Sequence, residues 1–294
     1  MRFRIAHFSD PHLSPAPFPL GRELRLKRFL GWVNWKRDRE GLNDMEMLDR
    51  LVADARAQGP DHIAMTGDAV NLALRHEFAR AQRWMNSLGA AQDVSFTPGN
   101  HDAYVRDALP ALAETFAPWT EGYRFPYLRR RGEIALIGLN SGVPTLPFLA
   151  TGRLGQAQLD EFARMLRETA GLARVVMIHH PPMQGGRAPR LRGLDDAGAF
   201  EAVVAEHGAE LILHGHTHRV MANRLPSPAS RNAAGFVPVL GAPSISAAAP
   251  DPLHRACYYL IDVAKEGAQW RTSWRAREMS RGSGEIADRA PPSA

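Results

Sequence analysis

The chain has 294 residues, of which 45% are apolar and 23% charged, and its formal net charge is +5. That balance excludes a disordered, collagen-like or coiled-coil chain, and the length holds one large α/β domain with a sizeable core. The modest positive excess permits an anionic substrate or surface without demanding nucleic acid.

In chain order, Phe3–Ser9 reads as a buried strand ending at Asp10-Pro-His12. In Leu20–Glu40, Arg22, Arg25, Lys27, Arg28, Lys36, Arg37 and Arg39 interleave with Leu, Phe, Val and two Trp. This segment alone carries +4 and reads as a packed helix with a solvated basic face, or as an amphipathic cap. Asn43–Ala57 has helical spacing, and the strand His62–Thr66 ends at Gly67-Asp68-Ala-Val-Asn71. A helix over His76–Leu88 precedes the strand Val94–Thr97, which ends at Gly99-Asn100-His101-Asp102. Ile134–Leu139 is a strand, and Leu154–Ala170 is an amphipathic helix with Leu159, Phe162, Met165 and Leu166 on one face. The strand Arg174–Ile178 runs into His179-His180-Pro181-Pro182; after a helix over Ala197–His207, the strand Glu210–Leu213 leads to Gly215-His216-Thr217-His218. Beyond Gly235 come strands without helices, Val237–Leu240, Ser244–Ala248, Ala256–Val263 and Gln269–Trp274, which predict a second, antiparallel sheet region. The reading is a single domain over 1–274, with a polar, flexible tail over 275–294. Strand–helix alternation predicts a layered α/β fold with its site at the carboxyl ends of the strands.

Each of the five polar clusters has an ordinary explanation alone. Gly-Asn-His-Asp makes a turn, and His-His-Pro-Pro ends a strand. Together they gather carboxylate, imidazole and amide oxygen donors at strand ends, a set that suits hard-to-borderline divalent metals rather than a thiolate site. Seven donors shared between two ions, with one carboxylate bridging, leave open positions for water and substrate, the mark of a catalytic centre.

As an ordered set, Asp-x-His, Gly-Asp-x-x-Asn, Gly-Asn-His-Asp, His-x-Pro and Gly-His-x-His resembles the calcineurin-like metallophosphoesterase superfamily. The resemblance runs from Asp10 to His218 and implies a four-layer α/β/β/α sandwich around a dinuclear centre. Position by position, it implies Asp10, His12 and His218 as ligands of one metal, Asn100, His179 and His216 as ligands of the other, and Asp68 as the bridge. His179 is preferred over His180, since the family's ligand lies two residues before the first proline of that turn. His101 matches the catalytic histidine and Asp102 the carboxylate that orients it, with Asn100 and His101 also contacting substrate. Arg28, Trp32 and Trp35 of the cap are further substrate-binding candidates.

The activity this predicts is hydrolysis of a phosphoester by a hydroxide held between two divalent ions (Mn, Fe or Zn), attacking phosphorus in line. A phosphodiesterase is preferred, because Gly-Asn-His-Asp and His-His-Pro-Pro are shared with the bacterial cyclic-nucleotide and glycerophosphodiester branches. The alternative is hydrolysis of a lipid-linked phosphoester or pyrophosphate, with 20–40 meeting an anionic membrane surface. A non-catalytic protein-binding scaffold of the same fold is disfavoured, since all seven donors are present. No Gly-x-Gly-x-x-Gly follows the first strand and no Walker loop occurs, so those nucleotide-binding devices are not predicted, nor is a specific nucleic acid partner. No apolar run approaches the roughly 18 residues of a membrane span, and the N-terminus lacks a secretory pattern. With the lone Cys257, this predicts a cytoplasmic protein, or one peripheral to a membrane. His7, His62, His76, His207, His214 and His254 match no motif and read as structural.

Overall fold

The computed structural model describes residues 2–183, 191–280 and 283–289. Its first half contains β1 (Arg2–Phe8), α1 (Leu26–Asp38), α2 (Met45–Ala57), β2 (His62–Met65), α3 (Arg75–Leu88), β3 (Val94–Phe96), α4 (Leu109–Phe116), β4 (Tyr127–Arg131) and β5 (Ile134–Gly138). The second half contains α5 (Gln156–Glu168), β6 (Ala173–Met177), α6 (Ala197–His207), β7 (Leu211–His214), β8 (Met221–Leu225), β9 (Val237–Gly241), β10 (Cys257–Glu266), β11 (Gln269–Met279) and β12 (Ile286–Arg289). These form two six-stranded sheets, in the orders β12-β11-β10-β1-β2-β3 and β4-β5-β6-β7-β9-β8. Strands β1, β2 and β3 run parallel in one sheet, and β5, β6, β7 and β9 run parallel in the other.

Alternation along each strand divides its side chains between layers. Phe3 and Ile5 of β1 join Val175 and Met177 of β6 in the core between the sheets. Ala6 and Phe8 face the opposite way, into a second core with Leu48, Leu51, Phe78 and Phe116 of α2, α3 and α4. Val176 likewise turns outward, toward Phe162 and Leu166 of α5 and Phe200 of α6. Strands buried on both faces need continuous apolar runs, which is why β6 and β7 each carry a single polar residue. The result is the predicted α/β/β/α sandwich, and all five polar clusters follow the carboxyl ends of parallel strands: β1, β2, β3, β6 and β7.

Three expectations are corrected. The chain beyond Gly235 does not build its own sheet: β9 joins one sheet beside β7, while β10 and β11 join the other. Ser244–Ala248 is a loop, because its hydrogen bonds run to the first cluster's loop and to α2 rather than to a strand. Ile245 N donates to Ser9 O (3.0 Å), Ser244 Oγ to Asp10 O (2.6 Å), and Ser246 O accepts from Asp44 N (2.8 Å). The tail predicted from residue 275 is also partly ordered. β11 continues to Met279 and β12 pairs with it, held by Arg277 bonding both Asp54 and Asp288. Ion pairs and ladder bonds replace the apolar content that the sequence lacks there; residues 281–282 and 290–294 of that tail lie outside the described residues.

Of the described histidines, His7, His62 and His214 sit in buried strands, and the first two meet hydroxyls. His7 Nε2 lies 2.9 Å from Thr66 Oγ1, and His62 Nε2 lies 2.9 Å from Ser95 Oγ. Burial drives both imidazoles down to about 3, with nearby His214 adding to the effect at His7 and Arg129 at His62. The unfolded chain binds protons at these positions below about pH 6.5, whereas the native chain stays neutral until about pH 3, so stability falls as pH drops through that window. Each site is expected to remove about 2 kcal/mol between pH 7 and pH 5. Urea unfolding at the two pH values checks this: H62Q should flatten the dependence, and an unchanged difference would show that His62 does not contribute.

Candidate metal centre

The loops after β1, β2 and β7 turn back through left-handed backbone. Asp10 (φ 51°), His12 (φ 41°), Asp68 (φ 55°), His216 (φ 68°) and His218 (φ 50°) all adopt positive φ. Such residues are strained unless their surroundings fix them. Here the loops brace one another, through Asp10 N to Gly67 O (3.0 Å), His12 N to Asp68 O (3.1 Å) and Gly215 N to His179 O (3.1 Å). The approach is close enough to dictate glycine. A Cβ on Gly99 would collide with the Asp68 carboxylate, and one on Gly215 with Ser9 Oγ and Asp10 Oδ2.

Among the described residues the donors converge in two end groups joined by a third, His12, Asp68 and His101. Asp10 Oδ1 lies 3.1 Å from His218 Nε2 and 3.9 Å from His12 Nε2, and the two imidazole nitrogens are 3.2 Å apart. Asp68 Oδ2 stands between the groups, 3.8 Å from His12 Nε2 and 3.4 Å from His179 Nε2. His216 completes the second group with Asp68 and His179, and its Nδ1 is 2.8 Å from Asn100 Oδ1. His179 Nδ1 donates to Thr66 O at 2.6 Å, which leaves Nε2 turned toward Asp68. His180 turns elsewhere, with Nδ1 2.8 Å from Ser141 Oγ.

This arrangement fits a pair of cations. Asp10 Oδ1 and His179 Nε2 are buried without a hydrogen-bond partner, and buried polar atoms left so need a shared positive charge to compensate them. Burial works to raise both carboxyls, yet imidazoles overcome it: His218 and His179 hold Asp10 below the usual carboxylate range, and His179 and His101 hold Asp68 there. Burial opposes a charge on His179, but Asp68 and Asp10 pull that imidazole up to about 10. Asp10 and Asp68 thus attract positive charge to the point where the donors meet, and a nitrogen and oxygen set of this kind suits divalent ions of the Mn, Fe and Zn type.

A family model described as calcineurin-like phosphoesterase matches residues 3–220. The chain belongs to the calcineurin-like phosphoesterase family. No functionally curated protein matches it. Among solved structures, a dimetal phosphatase from zebrafish (Danio rerio) superposes with a TM-score of 0.62 at 14% identity, covering 97% of this chain and 98% of the other. A purple acid phosphatase from yellow lupin seeds reaches 0.57 at 11% identity, covering 98% of this chain but 53% of its own. The NAD nucleotidase of Haemophilus influenzae reaches 0.52 at 13%, covering 99% and 60%. At such identities these likenesses concern the fold.

Within this calcineurin-like fold, two role assignments are corrected. Asp102 does not touch the His101 ring. Its carboxylate accepts backbone N–H bonds from Asp68 (2.7 Å), Ala69 (2.9 Å), Val70 (3.2 Å) and Gly99 (2.8 Å), and so ties the second and third loops together. Burial pushes its carboxyl up to about 7, with Asp68 adding to the push and the N–H groups pulling back. His101 is oriented instead by Asn71, whose carbonyl accepts from Nδ1 at 2.6 Å.

The cap candidates Arg28, Trp32 and Trp35 do not reach the site. Arg28 is buried and donates to Leu72 O, Ala73 O and Asp107, while Trp35 packs with Leu72 and Leu74, and Trp32 against Phe18. Other residues of the same segment line the cavity over Asp68, Asn100, His101, His216 and His218: Lys27, Leu30, Asn34 and Arg39. Arg39, read only as one of seven basic residues, brings Nη1 to 3.2 Å from His12 Nε2 and 3.4 Å from His101 Nε2. The facing wall, Pro147–Ala150, carries no motif.

Reconstitution with Mn should give two bound ions per chain by elemental analysis. D68A, which removes the carboxylate that stands between His12 and His179, should lose both, and H179A should lose one. H180A should keep two; loss in H180A and retention in H179A would reverse the choice between the adjacent histidines.

Proposed function

We propose that the chain is a dinuclear-metal phosphoester hydrolase that acts as a phosphodiesterase. The observation that carries this reading is the cavity of about 240 Å³ that opens onto Asp68, Asn100, His101, His216 and His218. It has cationic groups near the centre and an apolar opposite wall.

Asp10, His12, His218 and Asp68 would hold one ion, and Asp68, Asn100, His179 and His216 the other. Two bound ions would acidify a water and neutralise the phosphoryl charge. The remaining work falls to this chain's own groups. His101 is fixed by its bond to the Asn71 carbonyl, so Nε2, 3.4 Å from Arg39 Nη1, is the ring atom that faces the cavity. Burial drives its pKa down to about 4, with Asp68 pulling the other way. An incoming phosphoryl anion favours the protonated ring, which then donates through Nε2 to a phosphoryl oxygen or passes its proton to the leaving alkoxide. Asn100 and Arg39 present further donors on the same side, and a guanidinium suits two phosphoryl oxygens at once.

The apolar wall favours the diester. A monoester is a dianion that calls for donors on every side, whereas a diester carries a second organic group that needs apolar surface. Leu30, Pro147, Phe148 and Leu149 provide that surface beside the phosphoryl site. With the Mn-loaded protein, kcat/KM for bis(p-nitrophenyl) phosphate should exceed that for p-nitrophenyl phosphate by about tenfold or more; the reverse order would sink the diesterase assignment. H101A should lower kcat by about 10²- to 10⁴-fold with both ions retained, and R39M should act mainly on KM. Full turnover in H101A would remove the role given to that ring.

A further inference from the structure

Large apolar side chains are exposed in one region of this molecule. Among the described residues, eleven stand out as exposed: Leu20, Leu24, Leu26, Phe29 and Val33 belong to the cap, and Phe18 lies just before it. Two more, Leu146 and Phe148, lie on the wall across the cavity mouth, and Leu191 adjoins them. Leu26 is 70% exposed, Leu20 71% and Phe148 84%. These segments are fastened into one rim. Lys27 Nζ donates to Thr145 O (2.7 Å) and to Tyr104 O (2.8 Å), and Ala150 N donates to Leu191 O (2.9 Å).

The phase of α1 explains the exposure. At 3.6 residues per turn, Arg28, Trp32 and Trp35 fall on the inner face, and Lys27, Leu30, Gly31 and Asn34 on the cavity face. Leu26, Phe29 and Val33 are left on a third face, with Lys36 and Arg37 continuing it. An isolated exposed leucine needs no account, but nine large apolar groups around one opening do. Between the exposed leucines stand Arg22 and Arg25, both exposed and without a side-chain hydrogen bond or ion pair among the described residues. Lys36 and Arg37 are already neutralised by Glu40 and Asp38. The free positive charge therefore sits among the apolar side chains, the mixture that lets a surface enter the headgroup layer of a membrane while its guanidiniums meet lipid phosphates. A protein partner seated on the rim would close the substrate's path. A bilayer seated there is itself a source of substrate.

We propose that this rim docks on an anionic phospholipid bilayer and that the cavity takes an amphiphilic phosphoester from it, the phosphoryl group reaching the donors while an acyl or alkyl chain follows the apolar wall. The substrate half of this inference rests on the hydrolase reading above; the docking half does not.

The test is flotation of the full chain with vesicles of phosphatidylcholine alone and of equimolar phosphatidylcholine and phosphatidylglycerol. It is paired with turnover of hexadecyl p-nitrophenyl phosphate in the anionic vesicles and of bis(p-nitrophenyl) phosphate in solution. In both assays water adds to phosphorus and p-nitrophenolate leaves. The wild-type chain should float with the anionic vesicles, and R22A/R25A should lose that preference. The triple variant L20S/L26S/V33S, altered at exposed positions outside the cavity, should fall by about tenfold or more in bound fraction and in vesicle turnover. It should keep its rate on the soluble diester within about twofold. Wild-type protein that turns over the soluble diester but stays in the aqueous fraction with both vesicle types overturns the docking proposal and leaves the hydrolase reading intact. Flotation without turnover of either ester supports docking and removes the hydrolase reading. If the triple variant instead converts a dimer to a monomer while wild type does not float, the rim is a contact between copies of the chain and the proposal fails.

Discussion

Two carboxylates with almost no access to solvent, Asp10 and Asp68, set the terms for everything around them. A buried negative charge persists only where positive charge and hydrogen bonds compensate it. Here the bonds come from backbone and one hydroxyl: His216 N donates to Asp10 Oδ2 (3.0 Å), Ser9 Oγ donates to the same oxygen, and His101 N donates to Asp68 Oδ1 (2.8 Å). Those bonds fix one oxygen of each carboxylate and leave the other pointing at imidazole nitrogens. The positive φ values at five of the donors follow from this demand, since only a sharply reversed chain brings both a carboxylate and the next loop's N–H to one place. Asp102 belongs to the same scheme. By gathering four N–H groups from the second and third loops, it holds Asp68 and Asn100 at a fixed separation, a structural task carried out one residue from a group assigned to catalysis.

Chemistry and access are built from different parts of the chain. The donors all come from loops that leave parallel strands, where the sheets dictate position to within a fraction of a residue. The cavity above them comes from an insert and a wall that the sheets do not constrain. Arg28 supplies the link: its guanidinium, buried under α1, bonds the carbonyls of Leu72 and Ala73, which directly follow the second cluster. The cap is thereby anchored to the loop that also supplies Asp68 and the carbonyl of Asn71 that orients His101. A shift of α1 would therefore be felt at the donors.

What the sequence disclosed follows the same division. The sandwich and the donor set were legible because each donor travels in a short motif beside an apolar run, and both signals are local. Asp102 was misread because adjacency to His101 says nothing about direction: consecutive side chains in a tight turn diverge, and this one turns back toward the N–H groups of Asp68 to Val70. Trp32 and Trp35 were misread because composition was weighed without helical phase. Spaced with Arg28 at intervals of four and three, they mark the buried stripe of α1 rather than the cavity. Strands β4 and β8 escaped notice as edge strands of mixed polarity. Arg129 of β4 is buried yet charged, and is accommodated by Glu121 and the carbonyl of Ala91.

The wall Pro147–Ala150 had no signal at all, and cavity lining of this kind is constrained differently from a donor set. Asp68 and His179 must meet to within a few tenths of an ångström, so the strands, glycines and hydrogen bonds that place them leave a dense pattern in the sequence. A surface that meets an organic substituent needs only shape and apolarity, which many residues satisfy. Phe148 meets that requirement from a loop, at φ 66° and largely in solvent, tied to the cap through Lys27 and Thr145. The donor set is therefore written in short motifs, whereas the proposed choice of ester rests on the contact between α1 and this wall, where no motif constrains the side chains.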